Sequence, residues 1–173
     1  MDRWVGVLGL IVGVVALFKV SIDVRRRAKW RHVISAIKKL DGRIRYYNLD
    51  VVIGLSDGLV PAGILALNYR ISEIYFINSP VGRRLPCNLS HIPDLSGKNV
   101  LLIDNHIYTG SSMREAAAAL ALKNPAQIVT IALFRHTVAT AVFTPDHFVY
   151  TVNGKVRSVP WGTTPEHRGD YLS

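Results

Sequence analysis

The chain has 173 residues, with 21 Lys and Arg against 12 Asp and Glu, a net charge of +9, and one cysteine. A lone cysteine excludes an internal disulfide, no Cys/His spacing suggests structural zinc, and the length leaves room for one compact domain, not two. The 49% hydrophobic content is uneven and is concentrated at the amino terminus.

Trp4 to Phe18 is an unbroken apolar run that Val20 and Ile22 extend past Lys19, nineteen residues in all. A bilayer core takes roughly 17–25. Arg25, Arg26, Arg27, Lys29 and Arg31 follow the run, whereas Arg3 and the amino group precede it with Asp2 in opposition. This asymmetry predicts a single transmembrane anchor over 1–24, with the carboxyl-terminal part cytoplasmic. A cleaved signal peptide is the competing reading, but the basic cluster stands behind the run and Leu17-Phe18-Lys19 offers no small-residue cleavage site. Gly9 and Gly13 form a small-xxx-small pair on which two such helices can associate, although glycine is common in membrane helices generally.

From Arg25 to Arg45 there are nine basic residues and one acid, Asp41. Trp30, Val33, Ile34, Ile37 and Leu40 recur there at helical spacing. The pattern predicts a basic amphipathic juxtamembrane helix over 25–42, ended by Asp41-Gly42. It would lie on anionic lipid headgroups through Arg25–Arg31, or pack its apolar side on the domain that follows over 43–173. Arg and Lys also serve nucleic-acid phosphates, but the adjoining apolar run makes lipid the expected partner.

The remainder alternates. Strands are expected at 51–55, 74–77, 100–103, 128–134 and 148–152, and helices at 61–69 and 112–123. A long connection containing Gly82-Arg83-Arg84 spans 78–98. Near-continuous apolar strands between helices indicate an α/β fold with a parallel sheet covered on both faces. Ligands of such sheets bind at the carboxyl ends of the strands. Two segments there carry chemistry. Val51-Val52-Ile53-Gly54-Leu55-Ser56-Asp57-Gly58-Leu59-Val60-Pro61 is a strand, a small-residue loop and a helix whose first turn takes Pro61. Val100-Leu101-Leu102-Ile103-Asp104-Asn105-His106-Ile107-Tyr108-Thr109-Gly110-Ser111-Ser112 is a strand ending on an acid, a tight turn, and two hydroxyls entering an alanine-rich helix. Unsatisfied N–H groups at that helix start suit a phosphate, and Asp104 suits sugar hydroxyls or a divalent cation.

The second segment resembles the diphosphoribosyl-binding motif of type I phosphoribosyltransferases: an apolar strand, two acids, a spacer, Thr-Gly, then Ser/Thr. It departs from that motif at Asn105, where a second acid is usual, and at Tyr108, where the catalytic base often stands. The first segment resembles the family's pyrophosphate loop, with Ser56 and Asp57 at the Arg-Gly positions. Pro145-Asp146-His147-Phe148-Val149-Tyr150 and Val159-Pro160-Trp161-Gly162 resemble the later strand and the Pro-Trp ending of xanthine-guanine and related enzymes.

The resemblance covers about residues 43–162 and implies the following roles. Asp104 and Asn105 would hold ribose hydroxyls, with Asp104 meeting a ligand-bound Mg2+. Thr109, Gly110, Ser111 and Ser112 would hold the 5-phosphate, and Leu55, Ser56, Asp57 and Gly58 the pyrophosphate. Arg83 and Arg84 would lie on a flap over it, while His136 and Trp161 would meet a base. Tyr108 would need a far lower pKa than its ordinary value near 10 to act as the base. The implied activity is transfer of phosphoribose from diphosphoribosyl pyrophosphate to a nitrogenous base. The alternatives are a membrane-tethered nucleotide-sensing or effector module on the same fold, and a purely structural oligomerisation unit.

Overall fold

A computed structural model of the protein describes residues 28–79, 89–137, 140–153 and 159–161. The expected anchor over 4–22, Arg25 to Arg27, Arg83 and Arg84 lie outside them. Among the described residues no helix is long and apolar enough to cross a membrane.

In chain order the elements are α1 (Trp30–Ile44), β1 (Val51–Leu55), α2 (Leu59–Tyr69), β2 (Glu73–Ile77), β3 (Asn99–Ile107), α3 (Ser111–Ala121), β4 (Gln127–His136) and β5 (His147–Val152). The strands form one sheet in the order β2-β1-β3-β4-β5, and every pairing is parallel. Residues of β1, β3 and β4 alternate between two buried faces, which explains their nearly unbroken apolar sequence. Val52, Leu101, Ile103, Val129 and Ile131 meet α1 and α2 on one side. Val51, Ile53, Val100 and Leu102 meet Met113, Ala116 and Leu120 of α3 on the other.

Helix α1 is part of this core. Val33, Ala36, Ile37, Leu40 and Ile44 are buried at helical spacing, leaving the basic residues outward. The helix does not stop at Asp41-Gly42, as its sequence suggested. It continues to Ile44, passes through a short turn at Arg45–Tyr47, and ends at Asn48 in the left-handed conformation (φ 47°). Burial of Ile44 outweighs the roughly 1 kcal/mol that a helical glycine costs. Asp41 instead ties helices together: its carboxylate accepts hydrogen bonds from the Tyr69 hydroxyl (2.7 Å) and from Arg45 (2.9 Å).

A second correction concerns β3, which was expected to end at Ile103 with Asp104 at its tip. The strand runs four residues further because β4 continues beside it, pairing Asp104 with Ala132, His106 with Phe134 and Ile107 with Arg135. The connection before β3 is also less open than its composition implied, since Leu89, Ile92 and Leu95 are buried in the core beneath α3. Its Leu95–Lys98 turn carries Gly97 at φ 75° and leads Lys98 to Glu73, 2.6 Å away.

Candidate functional site

β1 and β3 are neighbours at the centre of the sheet, so the segments that follow them meet at its carboxyl edge. After Leu55, which is buried, Ser56 adopts φ 49°, a conformation unusual for a residue with a side chain. Its hydroxyl donates to the Ser79 carbonyl (3.1 Å) and accepts from the Ser79 N–H (3.3 Å), joining the loop after β1 to the segment after β2. Asp57 is exposed. Gly58 is pressed on β3: a Cβ there would lie 2.8 Å from the Asp104 Cα and closer still to the Ile103 carbonyl. Only hydrogen fits, so the loop rests directly on the strand that carries the acid.

Asp104 keeps some accessible surface, yet its carboxyl group is surrounded largely by protein. Loss of water pushes its pKa from 3.8 up to about 7, against hydrogen bonds from the Asn105 and His106 backbone and with added repulsion from Asp57. The Asn105 N–H donates to Asp104 Oδ1 at 2.7 Å. Regular alternation breaks here: Ile107 packs with Val100 and Leu102 on the α3 side, whereas His106 stacks on Phe134, which belongs to the opposite side of the sheet. Of the two residues expected to hold ribose hydroxyls, Asp104 keeps some exposure and Asn105 is only 5% exposed.

The turn from β3 into α3 is held tightly in place. Gly110 caps the helix at φ 82°, and a Cβ there would lie 2.6 Å from the Phe143 carbonyl oxygen. The Thr109 carbonyl accepts N–H bonds from Val142 (2.8 Å) and Phe143 (3.2 Å), which pins the turn from behind. Thr109 Oγ1 lies 3.2 Å from Ser111 Oγ and accepts weakly from the Ser111 N–H at 3.4 Å. Arg114 makes the first helical bond, to the Gly110 carbonyl, so the N–H groups of Ser112 and Met113 have no acceptor within the helix. Thr109, Ser111 and Ser112 are half-buried, Met113 alone of the first turn points into the core, and no acid occupies that turn.

Beside the turn stands an aromatic stack that sequence reasoning did not assemble. Tyr108 lies face to face with His136, ring centroids 3.8 Å apart and planes 13° apart. His136 is 2% exposed and its Nε2 is 3.2 Å from His106 Nδ1. His106 stacks in turn on Phe134 (4.9 Å). Burial, with His136 adding to it, pushes the His106 pKa down to about 3, so this ring stays neutral near pH 7. Tyr108, half-buried, covers one face of the buried His136 ring.

Trp161 reaches the same edge from the far end of the chain. Its indole N–H donates to the Asp57 carbonyl (3.0 Å), and its ring lies 5.4 Å from that of Trp30 at the start of α1. Among the described residues no group of three His, Cys, Asp or Glu side chains is arranged to hold a metal ion.

A family model described as a phosphoribosyl transferase domain matches residues 25–166. The fold is similar to that of a purine phosphoribosyltransferase from Pyrococcus horikoshii Ot3, with a TM-score of 0.65 and 22% identity, covering 80% of this chain and 96% of the other. It is also similar to a Helicobacter pylori xanthine-guanine-hypoxanthine phosphoribosyltransferase (TM-score 0.57, 17% identity, covering 73% and 87%). A third likeness is to a hypothetical protein from Neisseria gonorrhoeae solved with bound ppGpp (TM-score 0.60, 21% identity, covering 82% and 93%). At these identities the likeness concerns the fold. No curated protein matches the sequence.

Proposed function

Because this chain belongs to the phosphoribosyl transferase domain family, we propose that it binds diphosphoribosyl pyrophosphate, or the 5-phosphate of a nucleotide, and transfers phosphoribose to a nitrogenous base. The observation that carries this reading is the Thr109–Ser112 turn, with N–H groups that find no acceptor within the helix and half-buried hydroxyls, beside Asp104 and the Gly58 contact. Thr109, Ser111 and Ser112 grip the phosphate, and the loop Leu55–Gly58 lies along the leaving pyrophosphate. In the transfer a base nitrogen forms a bond to C1 of the ribose as the C1–oxygen bond to pyrophosphate breaks, the base giving up its proton to water. The protein contributes by holding both partners in line and by stabilising charge at the sugar.

Magnesium fits this site as a ligand-borne ion. Mg2+ commonly uses one or two protein carboxylates and takes its other ligands from phosphates and water, so a three-residue cage is not required. Asp104, desolvated and repelled by Asp57, is the carboxylate that would hold it. The ion supplies neutralisation of the diphosphate. The amino-terminal run Trp4–Ile22 makes the protein a single-pass membrane protein with this domain in the cytoplasm and Arg25–Arg31 against anionic lipid.

A second reading, a nucleotide-sensing or effector module without turnover, is favoured by Tyr108 and Asn105. Neither supplies a carboxylate, Asn105 is buried, and Tyr108 is committed to the His136 stack. One experiment separates the readings. Full-length protein in detergent is titrated calorimetrically with diphosphoribosyl pyrophosphate and magnesium, and pyrophosphate release is followed against a panel of bases. Binding with release supports the transferase, and binding without release supports the effector. Thr109→Val with Ser112→Ala should weaken binding at least about tenfold, the loss of one or two hydrogen bonds to a charged group. Unchanged affinity would place the phosphate elsewhere.

A further inference from the structure

Three exposed apolar side chains stand at the starts of α1 and α2, and the half-buried Trp161 lies between their two segments. Trp30 is 50% exposed and Ile34, one helical turn on, is 41% exposed. The Trp161 ring packs beside Trp30, and its bond to the Asp57 carbonyl places it two residues from Leu59, which is 44% exposed. Arg31 and Lys38 are exposed on the same side of α1, and that helix carries no acid before Asp41. Asp57, two residues before Leu59, is exposed as well, so the rim carries these two basic residues and one acid; tryptophan beside aliphatic residues with a net basic rim is the composition of a surface that lies in a lipid headgroup layer.

The chain outside the described residues fixes how near a bilayer would be. Eight residues lead from Ile22, the end of the apolar run, to Trp30. Fully extended they reach about 29 Å at most, and any folding shortens this. We infer that Trp30, Ile34, Leu59 and Trp161, rimmed by Arg31 and Lys38, form a lipid-docking face that lies in the headgroup layer of an anionic bilayer. This rests on the membrane-anchored reading of residues 4–22. The charge pattern selects lipid over the other occupants. Folding back of the run Trp4–Val20 would bring one charged residue, Lys19, of the same sign as the rim. A second copy would set Arg31 and Lys38 against their own counterparts. Anionic headgroups complement them, by about 1 kcal/mol per basic residue near the surface.

The test uses the full chain with Trp4→Phe, which leaves Trp30 and Trp161 as the tryptophans of the protein. It is reconstituted into phosphatidylcholine vesicles, with and without phosphatidylglycerol, carrying brominated acyl chains that quench nearby indoles. In anionic vesicles the emission should fall about twofold. Arg31→Glu with Lys38→Glu should return it to the level of neutral vesicles, and raised salt should act in the same direction. Co-flotation with vesicles but no quenching would leave the anchor standing and overturn the docked face. Quenching indifferent to lipid charge and to the charge reversals would also overturn it. Absence of quenching together with a cross-linked dimer that Ile34→Glu abolishes would assign the face to a second copy. Failure to float at all would remove the anchor and the inference together.

Discussion

Replacing Asp104 with Asn isolates the most strongly perturbed acid of the site. In the folded protein burial raises this carboxyl from 3.8 to about 7, so the native state binds a proton that the unfolded state has released. Stability therefore falls as pH rises across that interval. The full difference corresponds to a ceiling of about 4 kcal/mol, and water at this half-buried residue reduces the expected value to about 2 kcal/mol. His106 acts in the opposite sense. Its pKa falls from 6.5 to about 3 on folding, so the unfolded state is the better proton binder and stability rises with pH over that range. The wild type should thus be nearly flat from pH 4 to 6.5 and lose stability up to about 7. Asp104→Asn should climb through the same interval and then level off. Asn keeps an oxygen for the Asn105 N–H, so the fold is preserved. Urea unfolding of both proteins, with chelator and no ligand, gives the comparison at each pH, and other titrating groups cancel in the difference. The same wild-type-minus-variant difference at pH 4 and pH 8 would refute the desolvation of Asp104.

Gly110→Ala should destabilise the protein by about 2–4 kcal/mol in the same unfolding assay, because it adds a methyl against Phe143 at a positive φ. Gly42→Ala should stabilise it by about 1 kcal/mol, since Gly42 is helical and an added Cβ meets nothing within 4 Å; a loss would contradict the course of α1. Tyr108→Asp should raise the rate of pyrophosphate release by about tenfold if a general base is what turnover lacks. Asn105→Asp should instead lower stability by about 2 kcal/mol or more, because it buries a carboxylate, and differential scanning calorimetry would register the drop.

Much of the fold was legible because β1, β3 and β4 are buried on both sides and read as continuous apolar runs bounded by turn residues. The Thr109-Gly110 turn was legible for the same reason: it follows such a run and precedes an alanine-rich helix. What failed to show was decided by neighbours distant in sequence. Asp104, Asn105 and His106 look like a loop, yet the length of β4 draws them into a strand. Gly42 looks like a stop, but Ile44 still has a core to fill. Likewise His136 reads as an isolated side chain until the register sets it beside His106 and under Tyr108.

The close seat of Gly58 on β3 separates two kinds of position in this molecule. Where Gly58 meets Ile103 and Asp104, and where Gly110 meets Phe143, the close contacts are largely to backbone. Substitution elsewhere on the rim can exchange one reactive side chain for another without touching those contacts. Tyr108, half-buried beside the turn, can thus be exchanged while these two backbone contacts still hold the loop and the turn in place.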